Sequence, residues 1–212
     1  KMLKYPEDFI NKVIQGDCLE VMKSISDKSI DLMVTDPPYG VNLEYDIYDD
    51  TEENWFNLMK GFIPEAIRIS KMAIFPNSRI KRMKFFYDNF EPDWLIVWDK
   101  GSPGIRSPIG FNDYELLVVY GKNNPTSMHD IFRSIPVEKM GNYGHPCPKS
   151  LNWAKWLISR ASKEGDIVLD PFLGSGTVCV AAKQLKRNFI GIEISPKYCK
   201  IAEDRLAQEV LL

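Results

Sequence analysis

Nowhere in these 212 residues does an apolar run approach the ~20 positions needed to cross a bilayer, so no membrane span is expected. The N-terminal Lys1-Met2-Leu3-Lys4 does not lead into a signal-peptide core. The four cysteines, Cys18, Cys147, Cys179 and Cys199, have no paired spacing, which argues against a disulfide framework or zinc site and fits a reduced, cytoplasmic protein. The two histidines, His129 and His145, complete no ligand set with Cys147, and no metal is expected. A Gly-x-x-x-x-Gly-Lys phosphate loop is missing, which argues against a nucleotide triphosphatase. Excess charge is missing too. At a formal net charge of −2, any contact with nucleic acid must come from a local basic surface. Arg79, Lys81, Arg82 and Lys84 offer one candidate, with a solvated helix face as the plainer reading.

What is present suits a single domain over residues 1–212, with 44% hydrophobic and 26% charged residues. Short apolar or β-branched runs predict strands at Val13-Ile14, Ile30 to Thr35, Met72 to Phe75, Trp94 to Trp98, Glu115 to Tyr120, Ile167 to Asp170 and Phe189 to Ile194. Apolar residues every three or four positions predict helices from Leu19, over Trp55 to Ser70 with Pro64 as a kink, Lys81 to Phe90, Ser150 to Ser162, Thr177 to Leu185, and from Pro196 onward. The stretches Gly101 to Asn112 and Gly121 to Pro148 read as loops. Strands alternating with helices imply an α/β fold with a mostly parallel sheet.

Ligands of such sheets collect outside the carboxyl ends of the strands, where two loops of this chain fall. In Asp170-Pro171-Phe172-Leu173-Gly174-Ser175-Gly176-Thr177 a strand passes through a glycine-bearing turn into a helix. Its glycines allow close backbone approach, and the free amides of the helix start favour an anionic group such as a carboxylate. Glu193, 23 residues beyond Asp170, ends the next strand, where an acid can accept from ribose hydroxyls. Taken alone the turn is weak, because the third glycine of the dinucleotide fingerprint is missing. The second loop, Asp36-Pro37-Pro38-Tyr39, joins a carboxylate, a constrained backbone and an aromatic ring. An exocyclic base amine is a poor nucleophile, its lone pair being delocalised into the ring. Asp36 can accept one of its N–H groups and the Pro37 carbonyl the other, stabilising positive charge as it grows on nitrogen. Tyr39 can stack on the base, a task for its ring more than its hydroxyl. An ordinary turn is the alternative for this loop.

Together these segments resemble the amino-methyltransferase family that modifies adenine N6 or cytosine N4 in DNA. Asp36 to Tyr39 matches the catalytic motif, Asp170 to Thr177 the cofactor motif, His145-Pro146-Cys147-Pro148-Lys149 the His-Pro-x-x-Lys element, and Gly16-Asp17-Cys18-Leu19 the segment upstream. The order, catalytic motif first, resembles the family's β group. It implies a Rossmann-like S-adenosylmethionine-dependent methyltransferase fold, circularly permuted, with seven strands, the last antiparallel. The resemblance assigns Asp17 and the Cys18 amide to the adenine of S-adenosyl-L-methionine and Glu193 to its ribose. Asp170, Phe172, Gly174 and Gly176 fall to the methionine side, with Lys149 near the methionine carboxylate, and Ser175 and Thr177 complete the cofactor-binding set. Asp36, Pro37, Pro38 and Tyr39 receive a base rotated out of the duplex. Ser150 departs from the pattern, which has proline after the lysine.

The implied activity is methyl transfer to adenine N6 in DNA, since Asp rather than Ser stands at position 36. Cytosine N4 is the alternative, and a catalytically silent subunit that helps a partner bind DNA is a third reading. The interval 121–143, where the family carries its target-recognition domain, is short. A homodimer or a second subunit is one way to complete recognition, whether the setting is restriction-modification or another role. Cys179 and Cys199 read as core residues, Trp153 and Trp156 as packing, and the acidic run Glu44 to Glu53 as solvated or as a cover for the bound base.

Overall fold

The computed structural model describes residues 3–77, 79–100, 106–108, 110–111, 113–122, 129–133 and 149–208. Residues 145–148 of the His-Pro-x-x-Lys element, and most of the interval 121–143, lie outside them.

The chain runs β1 (Lys12–Gln15), α1 (Cys18–Met22), β2 (Ile30–Val34), α2 (Glu52–Ile69), β3 (Ser70–Pro76), a 3-10 turn (Ile80–Arg82) and α3 (Met83–Asn89). Then come β4 (Trp94–Asp99), β5 (Arg106–Ser107), β6 (Gly110–Phe111), β7 (Tyr114–Gly121) and β8 (Ile131–Arg133). It closes with α4 (Leu151–Ala161), β9 (Ile167–Asp170), α5 (Thr177–Gln184), β10 (Asn188–Glu193) and α6 (Pro196–Ala207).

Eight strands form the main sheet in the order β1-β10-β9-β2-β3-β7-β4-β8, while β5 and β6 make a separate ribbon. Neighbours from β1 through to β3 are parallel. The antiparallel strand is β7, lodged between β3 and β4. The expectation of seven strands is corrected by β8, a three-residue strand inside the interval 121–143 that pairs in parallel with β4. The last two strands of the chain, β9 and β10, are inserted between the first two, which is the circular permutation that the motif order implies.

Alternation along the strands divides the core between the sheet's faces. Met33, Leu169 and Ile190 join Trp55, Phe62 and Ile63 of α2 on one side. Leu32, Val34, Val168 and Phe189 join Trp153 and Leu157 of α4 with Cys179 and Ala181 of α5 on the other. Side-chain caps set the helix starts, each accepting an otherwise orphaned amide. Asp17 caps α1, Thr51 α2, Ser150 α4 and Ser195 α6. Pro64 lies within α2 without ending it. Ser150 holds φ −70°, the angle proline itself imposes, and its side chain accepts from Trp153 N at 3.1 Å, so serine here starts the helix in the way proline could and adds a cap.

Candidate active site

Chain order reverses across β9 and β2: α5 leads from β9 toward β10, and α2 leads from β2 toward β3. A cleft opens at such a point. Here it has about 1070 Å³, part of it open to solvent. Its walls include Asp17, Cys18, Asp36, Pro38, Lys149, Asp170, Phe172, Gly174, Ser175, Thr177 and Glu193. Three residues singled out from the sequence are not among its walls. Pro37 is buried behind the loop, and Tyr39 turns toward β7. Gly176, at φ 86°, lets α5 approach α6, since a Cβ there would stand 2.9 Å from that of Ala202.

The wall made by the glycine turn is held by carboxylates. Glu193 accepts from Gly174 N at 2.8 Å and from Ser195 N at 2.9 Å. Burial raises its pKa against the pull of these amides. Asp170 accepts from Thr35 Oγ1 at 2.6 Å and Phe172 N at 3.2 Å, and burial still pushes its pKa to about 7. Asp17 is committed to the first turn of α1, accepting from Leu19 N at 2.8 Å. Burial, with Asp17 beside it, pushes the Cys18 thiol up to about 12, so it stays protonated.

Asp36 stands where β2 ends, its side chain 23% exposed. Lys149 Nζ lies 3.0 Å from Asp36 Oδ2 and donates to the Tyr39 hydroxyl at 2.8 Å. That hydroxyl lies 2.9 Å from Asp36 Oδ1 and 2.7 Å from Glu115 Oε1. Lys100 Nζ closes the network 2.8 Å from Glu115 Oε2. Burial raises the Asp36 pKa despite Lys149. For Glu115 burial acts in the same sense, but Lys149 and Lys100 outweigh it and hold the group below its ordinary value. Tyr39 is raised well above the usual phenol value by burial and the two carboxylates.

The segment after Tyr39 is structured. Asp50 is buried and accepts from the amides of Gly40, Val41 and Leu43 at 2.6, 3.0 and 3.2 Å. A bridge between Glu44 and Asp49 brings Tyr45, Asp46, Ile47 and Tyr48 against the cleft. Ser195 Oγ donates to Asp46 Oδ2 at 2.6 Å, latching this hairpin to the start of α6. Part of the acidic run is thus structural rather than solvated.

Arg82 also departs from its expected place. It is 4% exposed, donates to the carbonyls of Tyr39 and Gly40, and lies 4.1 Å over the Trp55 ring. It clamps the loop that carries Asp36, whereas Arg79, Lys81 and Lys84 are exposed and Lys84 pairs with Asp88. Glu115, Lys100, Arg82, Asp46 and Ser195 were not foreseen as site residues. Glu115 carries a readable signal, an acid opening an otherwise apolar strand.

The permuted, mostly parallel sheet, with a strand-end carboxylate and a glycine turn at its switch point, has the fold of S-adenosylmethionine-dependent methyltransferases. Residues 123–204 match the N6_N4_Mtase family, described as DNA methylase. The type II methyltransferase M.HinfI of Haemophilus influenzae is 29% identical over 95% of this chain and 69% of its own. M.HpaI of Haemophilus parainfluenzae is 26% identical over 93% of this chain and 74% of its own. Among solved structures the fold matches the M1.HpyAVI-SAM complex, with TM-score 0.65 and 24% identity over 93% of this chain and 99% of that one. It also matches the cytosine-N4-specific PvuII DNA methyltransferase, with TM-score 0.71 and 18% identity over 94% and 87%. In each comparison the chain is similar to a DNA methyltransferase.

Proposed function

We propose that this chain transfers a methyl group from S-adenosyl-L-methionine to the exocyclic amine of a DNA base, with adenine N6 as the acceptor. The observation that carries the reading is the position of Asp36, a partly exposed carboxylate on the wall of the same cleft as Asp170, Gly174 and Glu193.

The donor set fits the cofactor. Glu193 keeps lone pairs beyond the two amides it accepts and can take ribose hydroxyls. All of Asp17, Cys18, Asp170, Phe172, Ser175 and Thr177 line the cleft, where Asp17 and the Cys18 amide would take the adenine and the others the methionine part. Lys149 lines the cleft and supplies a cation for a carboxylate. When bound, the cofactor supplies an electrophilic methyl on a sulfonium.

The protein's own work is to make the amine a better nucleophile. Asp36 accepts one N–H and the Pro37 carbonyl the other, so charge appearing on nitrogen meets acceptors already in place. A paired base cannot present its amine to Asp36, so it leaves the duplex at a cost of a few kcal/mol. DNA is therefore the partner, and recognition is completed by the interval 121–143 or by a second subunit.

The test is incubation with labelled S-adenosylmethionine and unmodified DNA, followed by nucleoside mass spectrometry. N6-methyladenine is expected. N4-methylcytosine would transfer the assignment to the other amine, and cofactor binding without any methylated nucleoside would favour the silent subunit. Asp36→Ala should lower turnover about 10²–10³-fold, the range for losing a preorganised transition-state partner, with cofactor affinity nearly intact.

A further inference from the structure

We propose that Glu115 is a positioning residue for the transfer: it holds the Tyr39 hydroxyl proton away from Asp36, leaving that carboxylate open to the incoming amine. The inference rests on the reading of Asp36 as amine acceptor.

A phenol has one proton to give, and here two carboxylates stand within its reach. Glu115 is the nearer, at 2.7 Å against 2.9 Å for Asp36. Its side chain is 7% exposed and forms an ion pair on its other side with Lys100 at 2.8 Å. Lys149 donates to the phenol oxygen, which turns the hydroxyl proton away from the ammonium. With that proton on Glu115, Asp36 Oδ1 keeps a lone pair for an N–H.

A buried acid is a poor choice for stability alone, because apolar side chains of similar volume serve as well or better. Glu115 pairs across the sheet with Trp98, whose ring lies beneath both Lys100 and Lys149 at 5.1 and 5.5 Å. The ends of β4 and β7 thus present Lys100 and Glu115 to the Asp36 loop, and Lys149 adds a second cation from ahead of α4. The charged groups around Asp36 are Lys149 ahead of α4, Tyr39 on its own loop, Glu115 on β7 and Asp170 on β9. Of these, Glu115 raises the Asp36 pKa by its charge and governs access to the Asp36 lone pair through the phenol, and turnover answers to the second effect.

The test joins two measurements on the whole chain. In Glu115→Gln the phenol proton is free to turn to Asp36 and a neighbouring negative charge is gone. Asp36, followed by carboxyl carbon NMR, should titrate lower by about half a unit or more. Turnover should fall about tenfold or more with cofactor affinity within about twofold. In a Tyr39→Phe background, Glu115→Gln should add less than about a twofold loss, because the residue acts through the hydroxyl. Glu115→Asp, which keeps the charge and draws back the carboxylate by one methylene, should lose turnover in the same direction and serves if the Gln variant does not fold. An unmoved Asp36 titration, or losses that multiply fully in the double variant, would overturn the proposal. If the unaltered protein methylated no DNA, the functional reading would fail, and the titration alone would still judge Glu115.

Discussion

Thr35 Oγ1 donates to Asp170 Oδ1 at 2.6 Å in the buried seam between β2 and β9, joining the strand that delivers Asp36 to the strand that opens the glycine turn. The acceptor's pKa of about 7 makes the seam sensitive to pH near neutrality.

The sign follows from comparison with the unfolded chain, where the carboxyl titrates near 3.8. The folded protein holds this proton more tightly, so the stabilisation it brings is complete below that value and lost as pH rises through about 7. Asp170→Asn has no such loss. Its stability relative to the unaltered protein should therefore improve by about 2 to 3 kcal/mol between pH 5 and pH 8 in denaturant titrations. Thr35, the Phe172 amide, Asp36 and Glu193 are the neighbours that modulate the group. Binding of cationic S-adenosylmethionine should tighten about tenfold from pH 6 to pH 8 as the proton leaves, and calorimetry that finds no slope would remove Asp170 from the ligand's charge.

Glu193→Ala should weaken S-adenosylmethionine binding by about 1 to 3 kcal/mol, the range for hydrogen bonds to a charged partner. Both oxygens also accept amides of the cradle, from Gly174 and Ser195. Glu193→Gln keeps one of these acceptors and should fall between the two. Unchanged affinity in the Ala variant would exclude Glu193 from the site.

The latch between Asp46 and Ser195 bears on the kinetics of the cleft rather than its chemistry. Asp46→Ala should speed cofactor dissociation about fivefold, equivalent to ~1 kcal/mol for one hydrogen bond, and leave the association rate nearly unchanged. Stopped-flow displacement measures both. An unaltered dissociation rate would mean that the hairpin of residues 44–49 does not retain the ligand.

Arg82→Met should destabilise the protein by about 2 to 4 kcal/mol, because two carbonyls, of Tyr39 and Gly40, lose their donor. Turnover should fall with it, since these carbonyls belong to the loop that carries Asp36. A variant as stable as the parent but weaker on DNA would return Arg82 to the role of phosphate contact.

Sequence alone reveals the parallel strands because they are apolar runs with abrupt ends: β2 stops before two prolines and β9 before a proline and two glycines. It also reveals the two loops, most of whose residues line one cleft. The start of α2 was obscured by Glu52 and Glu53, which look like solvated loop but sit in a first turn that favours acids. At three residues, β8 is too short for any periodicity. Arg82 and Glu115 were hidden for another reason. A basic run or a single acid declares charge, and only the fold determines whether that charge faces water or a phenol. The Tyr39 hydroxyl shows this most clearly. Stacking alone makes Tyr39→Phe nearly neutral, whereas its contacts to Asp36, Glu115 and Lys149 make the oxygen part of the site.

The insertion of β10 and β9 between β1 and β2 sets the timetable of folding. Lys12 must wait for Ile190, and Leu32 for Val168, before either first strand has its inner neighbour. Closing loops of that length costs entropy before any contact rewards it, which places these pairings late. Until then β1 and β2 are apolar edges separated by two vacant strand positions, the kind of surface that chaperones shield on a ribosome-bound chain. Under the proposed reading, in which Asp170 and Glu193 hold the cofactor, the strands that fill the gap also bring the binding site, so a nascent chain would not hold its cofactor before β10 has emerged.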